Sequence, residues 1–358
     1  MPRFHEIGGR GMDFGIFLEQ TRRGVDQPEA FREMFAMAEA GEAWGLDIVW
    51  LAEMLFNPAR SVLSGPLLMS SWIASRTKRI RTGTAVQLLP LNHPLRLAGE
   101  VTTLDHLSQG RFDFGIGRSG GTRGYDALGV PYAESQERFF EALDIIVKAW
   151  KGEPFSYEGK FYRFENVTVA PRPYRSSPPP LRMAATTPDT FPRVARLGLP
   201  IFVGLRGMSI PELSGHLKIY RAAWRDAGHP GDGDVCLRIP LYAAPTAEAA
   251  IEEPKETITF YFRRQAELTV APVGRAGIPT DLRRSQAQRL QGLTYDEILS
   301  TKVAFGAAPQ LIDRLGELKQ ELGLSGIAAE LNPGGLLPFE RELRSLEIMT
   351  QQVMPAFK

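Results

Sequence analysis

Short β-rich runs alternate with longer amphipathic segments along most of this chain, and that rhythm limits the fold more than any single motif does. The first run is Phe14-Gly-Ile-Phe-Leu18, followed by a helical pattern over 28–44 in which Phe31, Met34, Phe35 and Ala38 recur on one face. Pro28 suits its first turn and Gly45 its end. Further strand runs fall at 47–51, 80–89, 111–117, 181–185, 201–204, 235–243 and 326–331, with helical patterns at 64–76, 94–107, 134–150, 191–197, 211–227 and 339–353. Strands joined through helices must run parallel, and eight of them close most naturally into a (β/α)8 barrel, a TIM barrel. A doubly wound open sheet is the alternative that periodicity alone leaves standing.

Two segments interrupt the rhythm. Residues 152–180 form a Pro-punctuated excursion in which Phe155-Ser-Tyr157 and Lys160-Phe-Tyr-Arg-Phe164 predict a surface hairpin. Residues 252–301 are charged, rich in Arg and Gln, and too long for an ordinary connection, so they are expected to be an insertion after the seventh strand serving as an active-site lid. The expected organisation is a flexible leader over 1–11 and a single barrel domain over 12–358.

Lys and Arg exceed Asp and Glu by one charge, so no overall field recruits nucleic acid or an anionic membrane. The densest basic cluster, Arg76-Thr-Lys-Arg-Ile-Arg81, is read as a solvated helix end. One cysteine, Cys236, excludes an internal disulfide framework and a cysteine-based metal cluster, and its apolar surroundings suit buried filler. No apolar run reaches 18 residues and the leader lacks a signal-peptide core, so a cytoplasmic location is expected.

Gly115-Ile-Gly-Arg-Ser-Gly120 formally satisfies GxGxxG. A dinucleotide site needs the third glycine inside an opening helix, whereas Gly121, Gly124, Gly129 and Pro131 delay the helix to about 134. The segment instead provides a strand ending in a cation. In a (β/α)8 barrel the carboxyl ends of the strands carry the site, and Arg118, with the amides of Gly117 and its neighbours beside it, can present a fork to a phosphate. A surface ion pair is the competing role. Thr186-Thr-Pro-Asp-Thr190 follows the fifth strand and opens a helix, which suits either an anion or a plain N-cap. The five histidines lack HxxxH and HExxH spacing, which argues against a metal site. Among them His93 falls at a helix start near the barrel mouth, placed for a structural hydrogen bond or for acid-base work. No Walker loop is present, which removes an NTPase reading.

Gly45-Leu-Asp-Ile-Val-Trp-Leu-Ala-Glu53, Gly83-Thr-Ala-Val-Gln-Leu-Leu-Pro-Leu-Asn-His-Pro-Leu-Arg96 and Leu104-Asp-His-Leu-Ser-Gln-Gly-Arg-Phe-Asp-Phe-Gly-Ile-Gly-Arg118, with the closing Val353-Met-Pro355, resemble the bacterial luciferase-like family of flavin-dependent monooxygenases. The resemblance implies a barrel, reduced FMN from a separate flavin reductase, O2 as co-substrate and a homodimer. By position, Arg118 resembles the family's phosphate-binding arginine, and Thr186, Thr187 and Thr190 fall at its acidic or hydroxyl cluster. Ala85-Val86 falls where the family has a non-proline cis peptide beneath the flavin ring.

Two departures stand out. The histidine pair that follows the second-strand glutamate in luciferases is replaced after Glu53 by Met54 and Leu55, which argues against a light-emitting aldehyde reaction. A second phosphate arginine is replaced by Gln136; Arg138 lies two places on, turned about 200° away on a helix. Glu53, Met54 and His93 are the pocket candidates. The expected activity is oxygenation of an uncharged small organic substrate, with a deazaflavin-dependent oxidoreductase or a non-catalytic flavin binder as alternatives.

Overall fold

A computed structural model describes residues 11–358 except 20, 176 and 277–279. Eight parallel strands form a closed ring: β1 (Asp13–Leu18), β2 (Ile48–Leu51), β3 (Arg81–Thr84), β4 (Phe112–Gly117), β5 (Leu181–Ala184), β6 (Ile201–Gly204), β7 (Val235–Ala243) and β8 (Gly326–Glu330). Each pairs with the next, and β8 pairs back onto β1 through Gly326 opposite Asp13. The open-sheet alternative is thereby excluded.

Alternation along each strand sends one set of side chains into the barrel and the other towards the helices. Trp50 fills the interior, meeting Phe202 edge to face at 4.7 Å. Its indole needs room, and Gly83 supplies it: a Cβ there would lie 2.5 Å from Trp50 Cζ3. At the amino end Arg81 donates to Asp113 at 2.6 Å and also to Asp13, closing the barrel floor. Arg81 therefore does not belong to the solvated helix end expected for residues 76–81; its place in β3 turns it onto two carboxylates.

The third strand run differs from its expectation. It stops at Thr84, passes through a cis peptide between Ala85 and Val86, and resumes as Gln87–Leu88, which pairs with Ile116 and Gly117 of β4. The glycines of β4 make this corner possible: a Cβ at Gly115 would lie 1.8 Å from Thr84 O, and one at Gly117 would lie 2.2 Å from Val86 Cγ2. The glycine spacing that imitates a nucleotide motif is thus space for the neighbouring strand.

Helices cover the outside with local start signals. Asp26 accepts from Glu29 N at 2.8 Å to open Gln27–Ala43, and Ser209 with Glu212 forms a capping box ahead of Ile210–Asp226. In the excursion, Phe155–Glu158 and Arg163–Val167 pair antiparallel. The Glu141 carboxylate holds this hairpin on helix Ser135–Ala149 by accepting the N–H groups of Lys160, Phe161 and Tyr162.

After β7 come helices Ala247–Glu252, Lys255–Val270, Thr280–Gln291 and Tyr295–Thr301, then a short strand, Ala304–Gly306, beside the outer end of β7. The amphipathic helix Ala308–Leu322, unassigned by the sequence pattern, completes the seventh unit by burying Leu311, Leu315, Leu318 and Leu322. No helix among the described residues is long and apolar enough to cross a membrane.

Candidate active site

Arg118 follows β4 directly, at the carboxyl mouth of the barrel. Its Nη1 donates to Ser135 Oγ at 3.0 Å, and its guanidinium carbon lies 5.7 Å from the centre of the Tyr132 ring. Tyr125 donates its hydroxyl to Arg118 O, and Tyr132 donates to Ser119 O at 3.2 Å, so two tyrosines fix the backbone of the loop. Among the described residues no carboxylate pairs with Arg118, and the ion-pair reading of this cation therefore has no partner. On the adjacent β5 side, the Thr187 and Thr190 hydroxyls are 2.8 Å apart at the start of helix Thr190–Arg196, while Thr186 is exposed.

Between β2 and the corner of β3 lies Glu53. Its Oε1 accepts from Gln87 Nε2 at 2.7 Å and faces Asn92 Nδ2 at 3.5 Å; its Oε2 accepts the Leu88 N–H at 2.7 Å. Burial pushes the Glu53 carboxyl up to about 7, although these three donors favour the ionised form. Gln87 Oε1 is buried without a hydrogen-bond partner among the described residues, leaving an acceptor beside Glu53. Met54, Ala85, Val86 and Ala184 pack on the interior cluster of Trp50, Ala52 and Phe202, which gives the mouth an apolar floor on this side.

Across the mouth, the ends of β1, β7 and β8 carry a buried charge network. Arg238 donates to Glu330 through two bonds, at 2.6 and 2.8 Å, and to Glu19, while its guanidinium lies 3.9 Å from the Phe17 ring centre. Arg60, from the loop after β2, also pairs with Glu19. Burial alone would raise the Glu19 carboxyl; Arg60, Arg238 and Arg206 outweigh it and hold that carboxyl down at about 2. The segment after β7 reaches over the mouth through Arg283, which donates to Gly120 O at 2.6 Å, and through an ion pair between Arg275 and Asp126. Arg206 Nη1 donates to Gln265 Oε1 at 3.0 Å from the β6 side.

The fold brings Glu53, Met54, the Ala85-Val86 corner, Gly117 and Arg118 to one side of the mouth. It separates two other candidates from them. His93 is exposed and packs edge to face on Tyr162 at 5.3 Å. Gln136 is exposed, and the preceding Ser135 is the residue that faces Arg118. Arg138 is bound to Glu134 at 2.7 Å and lies over Phe161, away from Arg118 as its helical phase requires. Ser135, Gln87, Asn92 and the Glu19–Arg238–Glu330 network escaped the sequence reading. The first three stand beside residues singled out there; the network joins positions more than 200 residues apart, which no local spacing signals.

A family model described as luciferase-like monooxygenase matches residues 12–326. The oxygenase component of a flavin-dependent trigonelline monooxygenase from Acinetobacter baylyi is 27% identical, with 97% of this chain and 96% of that protein aligned. A monooxygenase structure from Streptomyces bottropensis superposes with a TM-score of 0.82 at 25% identity, covering 97% of this chain and all of that one. The oxygenating constituent of 3,6-diketocamphane monooxygenase from Pseudomonas putida, solved in complex with FMN, superposes with a TM-score of 0.81. At 20% identity, with 96% and 98% of the chains covered, that likeness bears on the fold.

Proposed function

Because the chain belongs to the luciferase-like monooxygenase family, whose flavin-dependent members include its relatives, we propose that it is the oxygenase component of a two-component system. It would take reduced FMN from a separate reductase and use O2 to oxygenate a small organic substrate. The observation that carries this reading is Arg118, a cation without a carboxylate partner among the described residues, held by Ser135 beside the apolar floor of Met54, Val86 and Ala184. A phosphate needs the first and a flat ring system needs the second.

When bound, reduced flavin supplies the two electrons that let O2 deliver one oxygen atom to the substrate and the other to water. The chain's own residues have simpler tasks. Arg118 binds the phosphate, with the Thr187 and Thr190 hydroxyls on the neighbouring strand's loop as further donors. Val86 and Met54 would supply an apolar surface for the ring and exclude water there. Glu53, with its carboxyl pushed up to about 7, can hold or release a proton near neutrality at Oε2, which accepts one N–H where Oε1 faces two.

The test is a coupled assay with the full chain, a flavin reductase, FMN and 18O2 over a broad substrate panel. A product carrying one labelled oxygen is expected. No labelled product, together with preferential binding of a reduced deazaflavin over FMN, would replace this reading by a deazaflavin-dependent oxidoreductase.

A further inference from the structure

A cavity of about 250 Å³ opens between the loop after β2 and helix Lys255–Val270; Arg23, Asn57, Arg60, Arg263, Arg264 and Glu267 are among its lining residues. An apolar cavity of roughly 150 Å³ already holds a benzene ring, so this one has room for a ring and a polar substituent. Four guanidinium groups line it, and their charges are only partly answered. Arg264 pairs with Glu267 at 2.5 Å and Arg60 with Glu19. Arg23 and Arg263 pair with no carboxylate among the described residues; both lie against the Phe260 ring, at 4.4 and 5.6 Å. The Arg60 Nε is buried without an acceptor among the described residues.

The cavity is built from barrel-mouth segments, following β1, β2 and β7. A chain of contacts links it to the proposed flavin side across the mouth. Arg60 holds Glu19, Glu19 holds Arg238, and Arg238 lies on Phe17, which shares the interior cluster with Met54 and Val86. Arg23, Arg263 and Arg264 are exposed, so solvent screens their mutual repulsion, and the unanswered donor is the buried Arg60 Nε. Burial, and after it the nearby charge of Arg264, lower the pKa of Arg23, whose Nε donates to Gly334 O at 3.3 Å.

We propose that this cavity seats a carboxylate group of the substrate, against Arg23, Arg60 and Arg264, so that the substrate is a small organic anion rather than the uncharged molecule expected from the sequence. The inference rests on the monooxygenase reading for the word substrate, but the binding site itself does not depend on flavin.

The experiment is calorimetric titration of the full chain with benzoate and cyclohexanecarboxylate, each against its uncharged amide. The acids should bind about tenfold or more tightly than the amides, a difference of the size of one charge-assisted hydrogen bond. In the double variant Arg23→Gln/Arg264→Gln, both exposed positions, that preference should fall to within about threefold while FMN affinity, followed by flavin fluorescence, stays unchanged. Equal binding of acids and amides, no binding of either, or a preference that survives the double substitution overturns the proposal and leaves the flavin reading untouched. Inorganic phosphate displacing benzoate, with FMN affinity lost in the double variant and kept in Arg118→Ala, would place the flavin phosphate here and overturn both.

Discussion

Arg118 donates to Ser135 Oγ at 3.0 Å, so the cation at the end of β4 is oriented by a neutral hydroxyl and keeps its charge available. A bound phosphate would be its first anionic partner among the described residues. Replacing Arg118 by Ala should weaken FMN binding by about 1.5–3 kcal/mol, roughly 10- to 150-fold, the contribution of a hydrogen bond to a charged group. Riboflavin, which has no phosphate, should bind the variant and the parent alike. Fluorescence titration with both flavins separates the cases, and unchanged FMN affinity would move the phosphate elsewhere.

Gly117 and Val86 are in contact closely enough that an added methyl has nowhere to go, since an ideal Cβ at 117 lies 2.2 Å from Val86 Cγ2. Gly117→Ala must displace either the corner of β3 or the end of β4, at a cost of roughly 1–3 kcal/mol for overpacking. Both elements border the proposed flavin site, so FMN affinity should fall along with the melting temperature. Gly121→Ala is the control, because its Cβ would find nothing nearer than Ser119 Oγ at 3.8 Å. Equal melting temperatures for the two variants would show that the corner yields freely.

The barrel was legible because its signal is repetitive: each strand run and helix pattern carries its own periodicity, and eight of them leave few closures. The corner at Ala85-Val86 was legible only through resemblance, since nothing in the polarity of Gln87-Leu-Leu89 marks a turn. Helix Ala308–Leu322 is harder to read although its leucines recur at helical spacing, because the charged insertion before it obscures where the barrel rhythm resumes. At the candidate site, the place of Arg118 at a strand end is readable from the sequence, and the structure puts it at the barrel mouth. Whether Ser135 or Gln136 faces Arg118 is not readable from the sequence, since the phase of helix Ser135–Ala149 depends on the turn before it. Glu19, Arg238 and Glu330 meet only when the ring closes.

Glu53 should give the reaction a pH dependence near neutrality. Burial raises its carboxyl from the ordinary 4.5 to about 7, so the folded chain favours the protonated form. That preference contributes stability fully below the ordinary carboxylate value and loses it as pH rises through about 7. If the protonated carboxyl serves oxygen transfer, turnover should decline over the same window. Glu53→Gln keeps the shape without the titration: its turnover should be lower by about 10²–10⁴, the usual size of a general-acid contribution, and flat between about pH 6 and 8. A variant whose profile still declines there would assign the titration to another group.

The lid reading of segment 252–301 rests on two bonds across the mouth, Arg283 to Gly120 and Arg275 to Asp126, both reaching the loop that follows Arg118. Flavin bound at Arg118 would order that loop and with it the segment above. Limited proteolysis within 252–301 should therefore slow by severalfold when FMN is present, and Arg275→Ala/Arg283→Ala should remove the protection while leaving the melting temperature within a few degrees, as expected for exposed contacts. Cleavage at the same rate with and without FMN would mean that the segment is fixed independently of the site.

Glu19 is the keystone of the opposite wall, and its removal should be felt in stability before it is felt in binding. It is 4% exposed, and despite the opposing effect of burial Arg60, Arg238 and Arg206 hold its carboxyl at about 2. Glu19→Ala leaves Arg238 with Glu330 alone and takes from Arg60 its carboxylate partner, and losing one partner of a buried ion pair costs roughly 3–5 kcal/mol. The sign of the pH effect follows from the lowered pKa: the contribution is complete above the ordinary carboxylate value of 4.5 and disappears as pH falls through about 2. Denaturant unfolding of the parent and of Glu19→Gln should thus differ most at neutral pH and converge on acidification. A difference that stays constant down to the acid limit would mean that the residue acts by packing rather than by charge.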